Sequence, residues 1–225
     1  MKALAIDTAT DVLAIAAVNG EARISLALRR GLQHSPALIP LVDRLLAEIS
    51  LPVMELEMIG CSVGPGSFTG IRIGLATAKG IGFAAQVPLV GVTTLDALAR
   101  PFLERDGDVF AVLDARKGNI YTASYRGGSR TSEYLDLTPA DLRGRLAAAE
   151  RPLLVGPDAE KVRAMMYPQH NGAPRDLPPC SSLFDPLALL ALTAENFARD
   201  GVDPTGPHPL YLRQSEAEIE SGKNR

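Results

Sequence analysis

The sequence has few cysteines, no long apolar run and no excess of positive charge, and each shortage excludes a class of protein. The two cysteines, Cys61 and Cys180, lie far apart and form no CxxC pair, which excludes a disulfide framework and a zinc knuckle. No stretch approaches the roughly 20 apolar residues that span a bilayer. The first apolar run ends at Asp7, too early for a signal peptide. We therefore expect a cytoplasmic protein that has no membrane partner.

The net charge is −3 and the pI is about 5.7, which gives no electrostatic basis for tight non-specific binding of nucleic acid. The three histidines, His34, His170 and His208, form neither an HxxxH nor an HExxH motif. A catalytic zinc ion needs about three well-placed protein ligands, so a stand-alone metallopeptidase is disfavoured and no metal site is predicted. His34, which precedes Ser35 and the first predicted helix, is interpreted as an interface or capping residue.

Apolar periodicity divides the chain into two series of elements, which we expect to form lobes over residues 1–105 and 106–213, before a flexible tail over residues 214–225. The first series predicts strands over residues 2–7, 12–18, 22–28, 58–63 and 88–92. Its helices are predicted over residues 35–50, 69–85 and 94–103. The second series predicts a helix over residues 139–149 and strands over residues 109–114, 119–125, 132–137 and 152–155. A long surface connection is predicted over residues 168–186, and a helix over residues 186–200.

The second series repeats the layout of the first. Without a gap, Asp7 aligns with Asp114 at the end of a first strand, and Gly20 aligns with Gly127 at the close of a hairpin. A tandem βββαβα pattern with an aspartate after each first strand is the layout of the actin-like ATPase and sugar-kinase superfamily. We therefore predict an α/β fold of two actin-like lobes, of which the second is reduced.

Five segments carry a narrower resemblance: "MKALAIDTAT", "GPGSFTGIRIGLATAKGIGFA", "GVTTLDALA", "LDARKGNIY" and "PLYLR". In this order they resemble the bacterial TsaB (YeaZ) family, which takes part in making the threonylcarbamoyladenosine modification of tRNA. The match extends from Met1 to about Tyr125. Beyond Tyr125 it depends on the order and length of the elements and on the last of the five segments.

The resemblance implies a subunit that has no catalysis and no cofactor of its own. In that family the TsaD paralogue holds the metal and the threonylcarbamoyl adenylate, a TsaE subunit is an ATPase, and the TsaB subunit bridges them. The implied role is that of a scaffold that activates TsaD for modification of A37, forms a homodimer in isolation and contacts tRNA only indirectly.

The two loops that would hold nucleotide phosphates lack the glycines that this chemistry requires. Backbone N–H groups approach phosphate oxygens most closely where no β-carbon intervenes. Here Asp7 is followed by Thr8 and, two residues later, by Thr10, whereas Asp114 is followed by Ala115. The loops are therefore interpreted as degenerate. A small ATP-dependent phosphotransferase or ATPase with Asp7 and Asp114 around Mg²⁺ remains the alternative.

The segment "GPGSFTG" also lacks the chemistry that its glycines suggest. It has no Lys-Ser/Thr pair for a P-loop and no GxSxG spacing for an esterase. Ser67 or Thr69 is predicted to cap the following helix by accepting hydrogen bonds from N–H groups of its first turn. Binding of an anion by the same N–H groups remains an alternative. Neither Ser67 nor Cys61, which lies in a predicted buried strand, is interpreted as a nucleophile.

The helix after this segment has small residues at every fourth position: Gly70, Gly74, Ala78 and Gly82. Each helical glycine costs roughly 1 kcal/mol relative to alanine, so the stripe indicates that another backbone comes close. That backbone belongs either to a partner or to the lobe's own sheet. Apolar residues cover most of the remaining circumference and leave Arg72 and Lys79 as the main charged positions.

The preceding helix is also more apolar than one burial partner requires. Two adjacent helices of this kind resemble half of a four-helix bundle that another subunit completes, which is where the TsaB family forms homodimers and contacts TsaD. The predicted interface residues are His34, Leu38, Leu41, Val42, Leu45, Gly70, Ile71, Arg72, Gly74, Leu75, Ala78 and Lys79.

Overall fold

Two mixed sheets form the framework of the protein, and both have the same strand order. The computed structural model describes residues 1–29, 31, 34–167, 179–201 and 205–213. The strands are β1 Lys2–Asp7, β2 Val12–Asn19, β3 Ala22–Arg29, β4 Met58–Gly64, β5 Leu89–Thr93, β6 Val109–Arg116, β7 Asn119–Arg126, β8 Ser129–Arg130, β9 Leu135–Leu137, β10 Leu153–Val155 and β11 Cys180–Ser181. The helices are α1 Ser35–Glu48, α2 Phe68–Ala85, α3 Thr94–Ala99, α4 Pro139–Ala147, α5 Ala159–Met166 and α6 Pro186–Asp200. Short 3₁₀ turns lie at Val53–Glu55 and Arg100–Phe102.

The first sheet has the order β3-β2-β1-β4-β5, with β2 antiparallel to β1 and β3, and β4 parallel to β1 and β5. Its central strands are apolar on both faces because helices cover both faces. Helices α1 and α2 pack on one face, where Leu38 and Ile71 join the core formed by Leu4 and Ile6. Helix α6 packs on the other face, where Leu189 lies among the small side chains of β1 and β2.

The second sheet has the order β8-β7-β6-β10-β11, which matches the first sheet strand for strand. Strand β9 also pairs with β7. Strand β7 is antiparallel to β6, and β10 is parallel to β6 and β11. The predicted actin-like duplication is therefore confirmed in the strand order. Gly20 and Gly127 both have positive φ, +62° and +57°, in the turns that follow β2 and β7, the conformation that glycine adopts most readily.

Helix α3 joins the two sheets. Leu95 and Leu98 of α3 belong to the same buried cluster as Val109, Ala111 and Leu113 of β6. Next to this apolar contact, the carboxylate of Asp96 accepts hydrogen bonds from the hydroxyl groups of Tyr125 at 2.7 Å and Tyr134 at 2.6 Å. The hydroxyl group of Thr93 donates to the same carboxylate. Burial and the Asp96 carboxylate raise the pKa of Tyr134 to about 12.

Most predicted elements are present, and the differences have local causes. The strand predicted over residues 132–137 is confined to β9, Leu135–Leu137, because Ser124 N–H donates to the Ser132 hydroxyl group at 3.0 Å rather than to a ladder carbonyl. The helix predicted over residues 94–103 ends at Ala99 and continues as a 3₁₀ turn that contains Pro101. The helix predicted over residues 35–50 ends at Glu48, and Ser50 has a φ of +50°.

Four elements were not predicted from the sequence: helix α5, strands β8 and β11, and the 3₁₀ turn at Val53–Glu55. Strand β11 lies within the surface connection predicted over residues 168–186; residues 168–178 of that connection and the tail over residues 214–225 lie outside the described residues. Among the helices of the described ranges, none has the length and hydropathy that a bilayer span requires.

Candidate interaction surface and cleft

The turn from β4 to α2 is shaped by close contact with the loop after β1. A β-carbon on Gly66 would lie 2.3 Å from the carbonyl oxygen of Ala9, and Ser67 N–H donates to that same oxygen at 2.7 Å. The Ser67 hydroxyl group accepts the N–H of Gly70 at 3.2 Å and so caps α2. Of the two capping residues predicted, Ser67 is therefore the correct one, whereas Thr69 lies exposed in the first turn.

Thr8, Thr10 and His34 form hydrogen bonds within the chain at the first degenerate loop. The Thr8 hydroxyl group donates to the carbonyl of Gly70 at 2.7 Å. The Thr10 hydroxyl group accepts Val12 N–H at 3.1 Å, and Nε2 of the fully buried His34 donates to the Thr10 carbonyl at 2.8 Å. His34 thus ties the loop to the start of α1, and its side chain makes no capping bond to that helix.

Asp7 is fully buried at the end of β1, where its Oδ1 accepts the N–H of Ala9 at 2.7 Å. Its other oxygen, Oδ2, has no hydrogen-bond partner. Burial raises the pKa of Asp7 to about 6. A carboxylate in this position has no exposed oxygen for a metal-bound nucleotide.

Asp114, the counterpart of Asp7 in the second sheet, is half-buried and lines a cleft between the sheets. Its Oδ2 accepts the Lys161 ammonium at 2.5 Å and its Oδ1 accepts the N–H of Arg116 at 2.8 Å. Its own N–H donates to Asp158 at 3.0 Å. Within the described residues no group of three or more His, Cys, Asp and Glu side chains is arranged to hold a metal ion.

The cleft has a volume of about 1100 Å³ and is lined by residues from both sheets. Its floor includes Ala9 and Thr10 of the first loop and Leu113 and Ala115 of the second. The charged side chains that line it are of both signs: Asp11, Arg72, Asp114, Arg116, Lys117, Asp158, Lys161 and Arg213. Carboxylates lie among the cations, so the cleft lacks the uniformly positive lining that a polyphosphate favours.

The small-residue stripe of α2 faces the chain's own sheet. A β-carbon on Gly70 would lie 2.1 Å from the Thr8 carbonyl oxygen, and one on Gly74 would lie 2.5 Å from the Thr8 hydroxyl oxygen. Ala78 is fully buried, and a β-carbon on Gly82 would lie 3.3 Å from the Val87 carbonyl oxygen. The backbone that approaches the stripe therefore belongs to the chain itself, namely the loop after β1 at Gly70 and the segment after α2 at Gly82.

This burial requires a correction to the predicted interface. Nine of its residues are buried by the protein's own core: His34, Leu38, Val42, Leu45, Gly70, Ile71, Gly74, Leu75 and Ala78. Leu41 is half-buried, whereas Arg72 and Lys79 are exposed. The periodicity identified the buried face of each helix correctly but did not identify which sheet or subunit buries it.

Large apolar side chains are also exposed on these two helices and beside them. The exposed fractions are 88% for Phe83 of α2, 52% for Ile39 of α1 and 68% for Met54 of the 3₁₀ turn that packs against α2. These three are half of the large apolar side chains that are exposed in the described part of the chain. We call Ile39, Met54 and Phe83, with Lys79, the outer face. The interface predicted from the sequence includes none of Ile39, Met54 and Phe83.

Comparison with known proteins gives a consistent result. The family model described as TsaD, tRNA N6-adenosine threonylcarbamoyltransferase, matches residues 30–146. The tRNA threonylcarbamoyladenosine biosynthesis protein TsaB of Bacillus subtilis is 30% identical over 99% of this chain and 100% of its own length. The protein of the same name from Escherichia coli K12 is 35% identical over 56% of this chain, and the match spans 55% of that relative.

A solved structure gives the same assignment. YeaZ from Pseudomonas aeruginosa superposes with a TM-score of 0.76 at 25% identity, covering 94% of this chain and 99% of that one. Two sheets of identical strand order, each with an aspartate at or near the end of its first strand, define an actin-like α/β protein. Within that class, the chain belongs to the TsaB (YeaZ) family.

Proposed function

We propose that this protein is a non-catalytic subunit in the formation of N6-threonylcarbamoyladenosine at A37 of tRNA. It binds and activates the TsaD paralogue through the outer face of α1 and α2. A TsaE ATPase joins the assembly, and two copies of this chain pair through the same face when TsaD is absent. Contact with tRNA is made through the partner.

The observation that carries the proposal is the exposure of Phe83. An aromatic side chain that is 88% exposed on a regular helix is not buried by its own chain and contributes little to the stability of that chain. Ile39 and Met54 are also exposed, and α1 and α2 pack on the same face of the first sheet. Each of the two helices therefore presents a large apolar side chain on its exposed side, which a helix-on-helix interface with a partner would bury. A paralogue of the same fold has the corresponding helices to complete it.

The hydrogen bonds that the first loop makes within the chain support a non-catalytic role. Thr8, Thr10 and His34 donate or accept within the chain, and Asp7 is enclosed. A subunit whose phosphate loop is closed in this way depends on a partner for catalysis. The alternative, a phosphotransferase with Asp7 and Asp114 around Mg²⁺, gains no support, because Asp7 is fully buried and Asp114 is engaged by Lys161.

The test is association with the TsaD paralogue of the same organism, measured by calorimetry and by light scattering after gel filtration. Phe83→Glu is expected to weaken binding by about tenfold or more, since central aromatic residues of interfaces often contribute over ~1.4 kcal/mol. Leu183→Glu is the matched control, because Leu183 is 53% exposed and lies outside both helices. Equal affinity of the Phe83→Glu and parental proteins would reject the outer face as the interface.

Activation is tested separately from binding. The rate of threonylcarbamoyl transfer to tRNA by TsaD and its other subunits is measured with and without this chain. The parental protein and Leu183→Glu are expected to raise the rate, and Phe83→Glu is expected to do so only at higher concentration. A clear binding isotherm for Mg-ATP on the isolated chain that is lost in Asp7→Ala would favour the phosphotransferase instead.

A further inference from the structure

Residues Pro207–Arg213, which we call the strap, bond to both sheets at one side of the cleft. The N–H of Leu210 donates to the carbonyl of Val63 in β4 at 2.7 Å. Three residues later, Nε and Nη2 of Arg213 donate to Oδ2 of Asp136 in β9 at 3.0 and 2.7 Å. One short segment therefore connects the first sheet to the second without belonging to either.

The first sheet has two recesses in which the strap lies, and glycine forms both. A β-carbon on Gly64 would lie 2.9 Å from the carbonyl oxygen of Leu210. A β-carbon on Gly91 would lie 2.9 Å from the β-carbon of Pro207. Gly64 also has a φ of +102°, which other residues rarely adopt. Any larger residue at either position would displace the strap from the ends of β4 and β5.

The strap also fixes the start of α2. The ring of Tyr211 stacks on Phe68, the first residue of α2, with centroids 4.9 Å apart and planes inclined by 30°. The Tyr211 hydroxyl oxygen accepts Nε of Arg72 at 3.1 Å, and the Arg72 guanidinium carbon lies 3.7 Å from the centre of the Phe68 ring. An aromatic stack and a cation–π contact thus meet at this helix end.

The bond to the second sheet is well oriented. Asp136 uses its other oxygen, Oδ1, to accept Asn119 Nδ2 at 2.8 Å, so its carboxylate is held before the strap binds it. The side chains of Arg213 and Asp136 are only 30% and 19% exposed. Charge-assisted hydrogen bonds between partly buried groups are stronger than exposed ion pairs.

We propose that the strap is an internal tie that holds the two sheets at a fixed separation across the cleft and fixes the start of α2. In an actin-like ATPase a bound nucleotide lies between the lobes and contacts both. Here Leu210, Tyr211, Leu212 and Arg213 line the same cleft and supply contacts to both sheets from the chain itself. This inference does not depend on the proposed partner, because every contact in it lies within one chain.

The test uses the full chain with spin labels on both sheets. The labels are placed by Glu48→Cys in α1 and Gly144→Cys in α4, both exposed, in a Cys180→Ser background; Cys61 is fully buried and is left in place. Arg213→Ala removes the tie to the second sheet, and Asp136→Asn weakens the same bond from the other side. Arg199→Ala is the control, because Arg199 pairs with the adjacent Asp200 at the end of α6.

Double electron–electron resonance measures the distance between the two labels. We expect one narrow distance distribution for the parental and Arg199→Ala proteins and a broader one for Arg213→Ala and Asp136→Asn. The Leu210 amide is expected to exchange with solvent about tenfold faster in Arg213→Ala, the factor that corresponds to a loss of ~1.4 kcal/mol. Tyr211→Ala should raise exchange in the first turn of α2 as well. Unchanged distances and exchange in all three strap variants would show that the segment is a passive surface loop and would overturn the proposal.

Discussion

The backbone of Gly70 in α2 lies directly against Thr8 in the loop after β1. The Thr8 hydroxyl group donates a 2.7 Å hydrogen bond to the Gly70 carbonyl, and a β-carbon on Gly70 would lie only 2.1 Å from the Thr8 carbonyl oxygen. The loop after β1 therefore packs directly on the backbone of α2. This contact explains why the helix tolerates glycine at a position where alanine has the higher helix propensity.

Alanine substitutions along α2 are expected to have opposite effects. Gly70→Ala should lower the free energy of unfolding by about 1–3 kcal/mol, because the new β-carbon forces the Thr8 backbone to move. Gly80 lies on the exposed side of the same helix with nothing within 4 Å of an added β-carbon. Gly80→Ala should therefore raise the free energy of unfolding by roughly 0.5–1 kcal/mol. Urea denaturation measures both, and stabilisation of the Gly70→Ala protein would contradict the packing described.

Asp7 is expected to make stability fall as the pH rises. Its pKa is about 6 in the folded protein against an ordinary 3.8, so the folded state holds the proton more tightly than the unfolded state. Its favourable contribution is present below pH ~4 and is lost as the pH rises through about 6. In Asp7→Asn this loss is absent. The stability of the variant relative to the parental protein should rise by roughly 2.5 kcal/mol between pH 4 and pH 8.

Denaturant titrations of the two proteins at several pH values measure this difference directly. The comparison across pH is the informative quantity, since the new amide group adds a cost that does not change with pH. A difference that stays constant from pH 4 to pH 8 would mean that the Asp7 carboxyl group titrates normally.

Asp108 is expected to make stability fall as the pH is lowered, the opposite of the effect of Asp7. Hydrogen bonds from the Arg126 guanidinium, Nε to Oδ1 at 2.7 Å and Nη2 to Oδ2, lower the pKa of this buried carboxyl group. Its contribution is therefore present above its ordinary pKa and is lost as the pH falls through the lowered value. Asp108→Asn should cost about 1.5–3 kcal/mol at pH 7.

The cost of Asp108→Asn should shrink in acid, where the parental carboxyl group is itself protonated. Asp200→Asn serves as the control, because Asp200 is exposed and its partner Arg199 is adjacent in the sequence. An exposed pair of this kind contributes little. If the two variants are equally stable at pH 7, the assignment of Asp108 as a stabilising group is wrong.

Two tyrosines on β7 allow a matched comparison at the junction of the sheets. The Tyr125 hydroxyl group donates to Asp96 at 2.7 Å, and the residue is buried. Tyr125→Phe should lower the free energy of unfolding by about 1–2 kcal/mol, because the Asp96 carboxylate loses a donor. Tyr121 lines the cleft and is half-buried. Tyr121→Phe should change stability by less than about 0.5 kcal/mol. Thermal and urea unfolding check the pair, and a neutral Tyr125→Phe would contradict the role given to Asp96.

The fold was predictable from local patterns because they were strong. Strands β1, β4 and β6 are long apolar runs, and the alignment of Gly20 with Gly127 located both hairpins. Helix α5 was missed because it has only eight residues and its N-cap, Asp158, makes no capping bond; that side chain accepts Asp114 N–H instead. Strand β11 has two residues and carries no recognisable periodicity.

The exposed and buried faces of α1 and α2 were only partly predictable. Glycine at every fourth position indicates a close approach, but it does not identify the approaching backbone, and here the loop at Thr8 fills that place. The outer face could have been found from the opposite signal: Phe83 lies outside the small-residue stripe, where a single sheet could not have covered it. The strap contains the segment "PLYLR". Its role could not be predicted from the sequence, because its partners Val63 and Asp136 are distant in the chain.

Helix α3 belongs to the first half of the chain by sequence and to both halves by packing. If the chain were divided after Leu103, Leu95 and Leu98 would lose their contacts with β6, and Tyr125 and Tyr134 would lose their acceptor. The two copies of the duplicated pattern are therefore expected to unfold together in a single cooperative transition. Although the architecture repeats, neither copy is expected to be an autonomous folding unit.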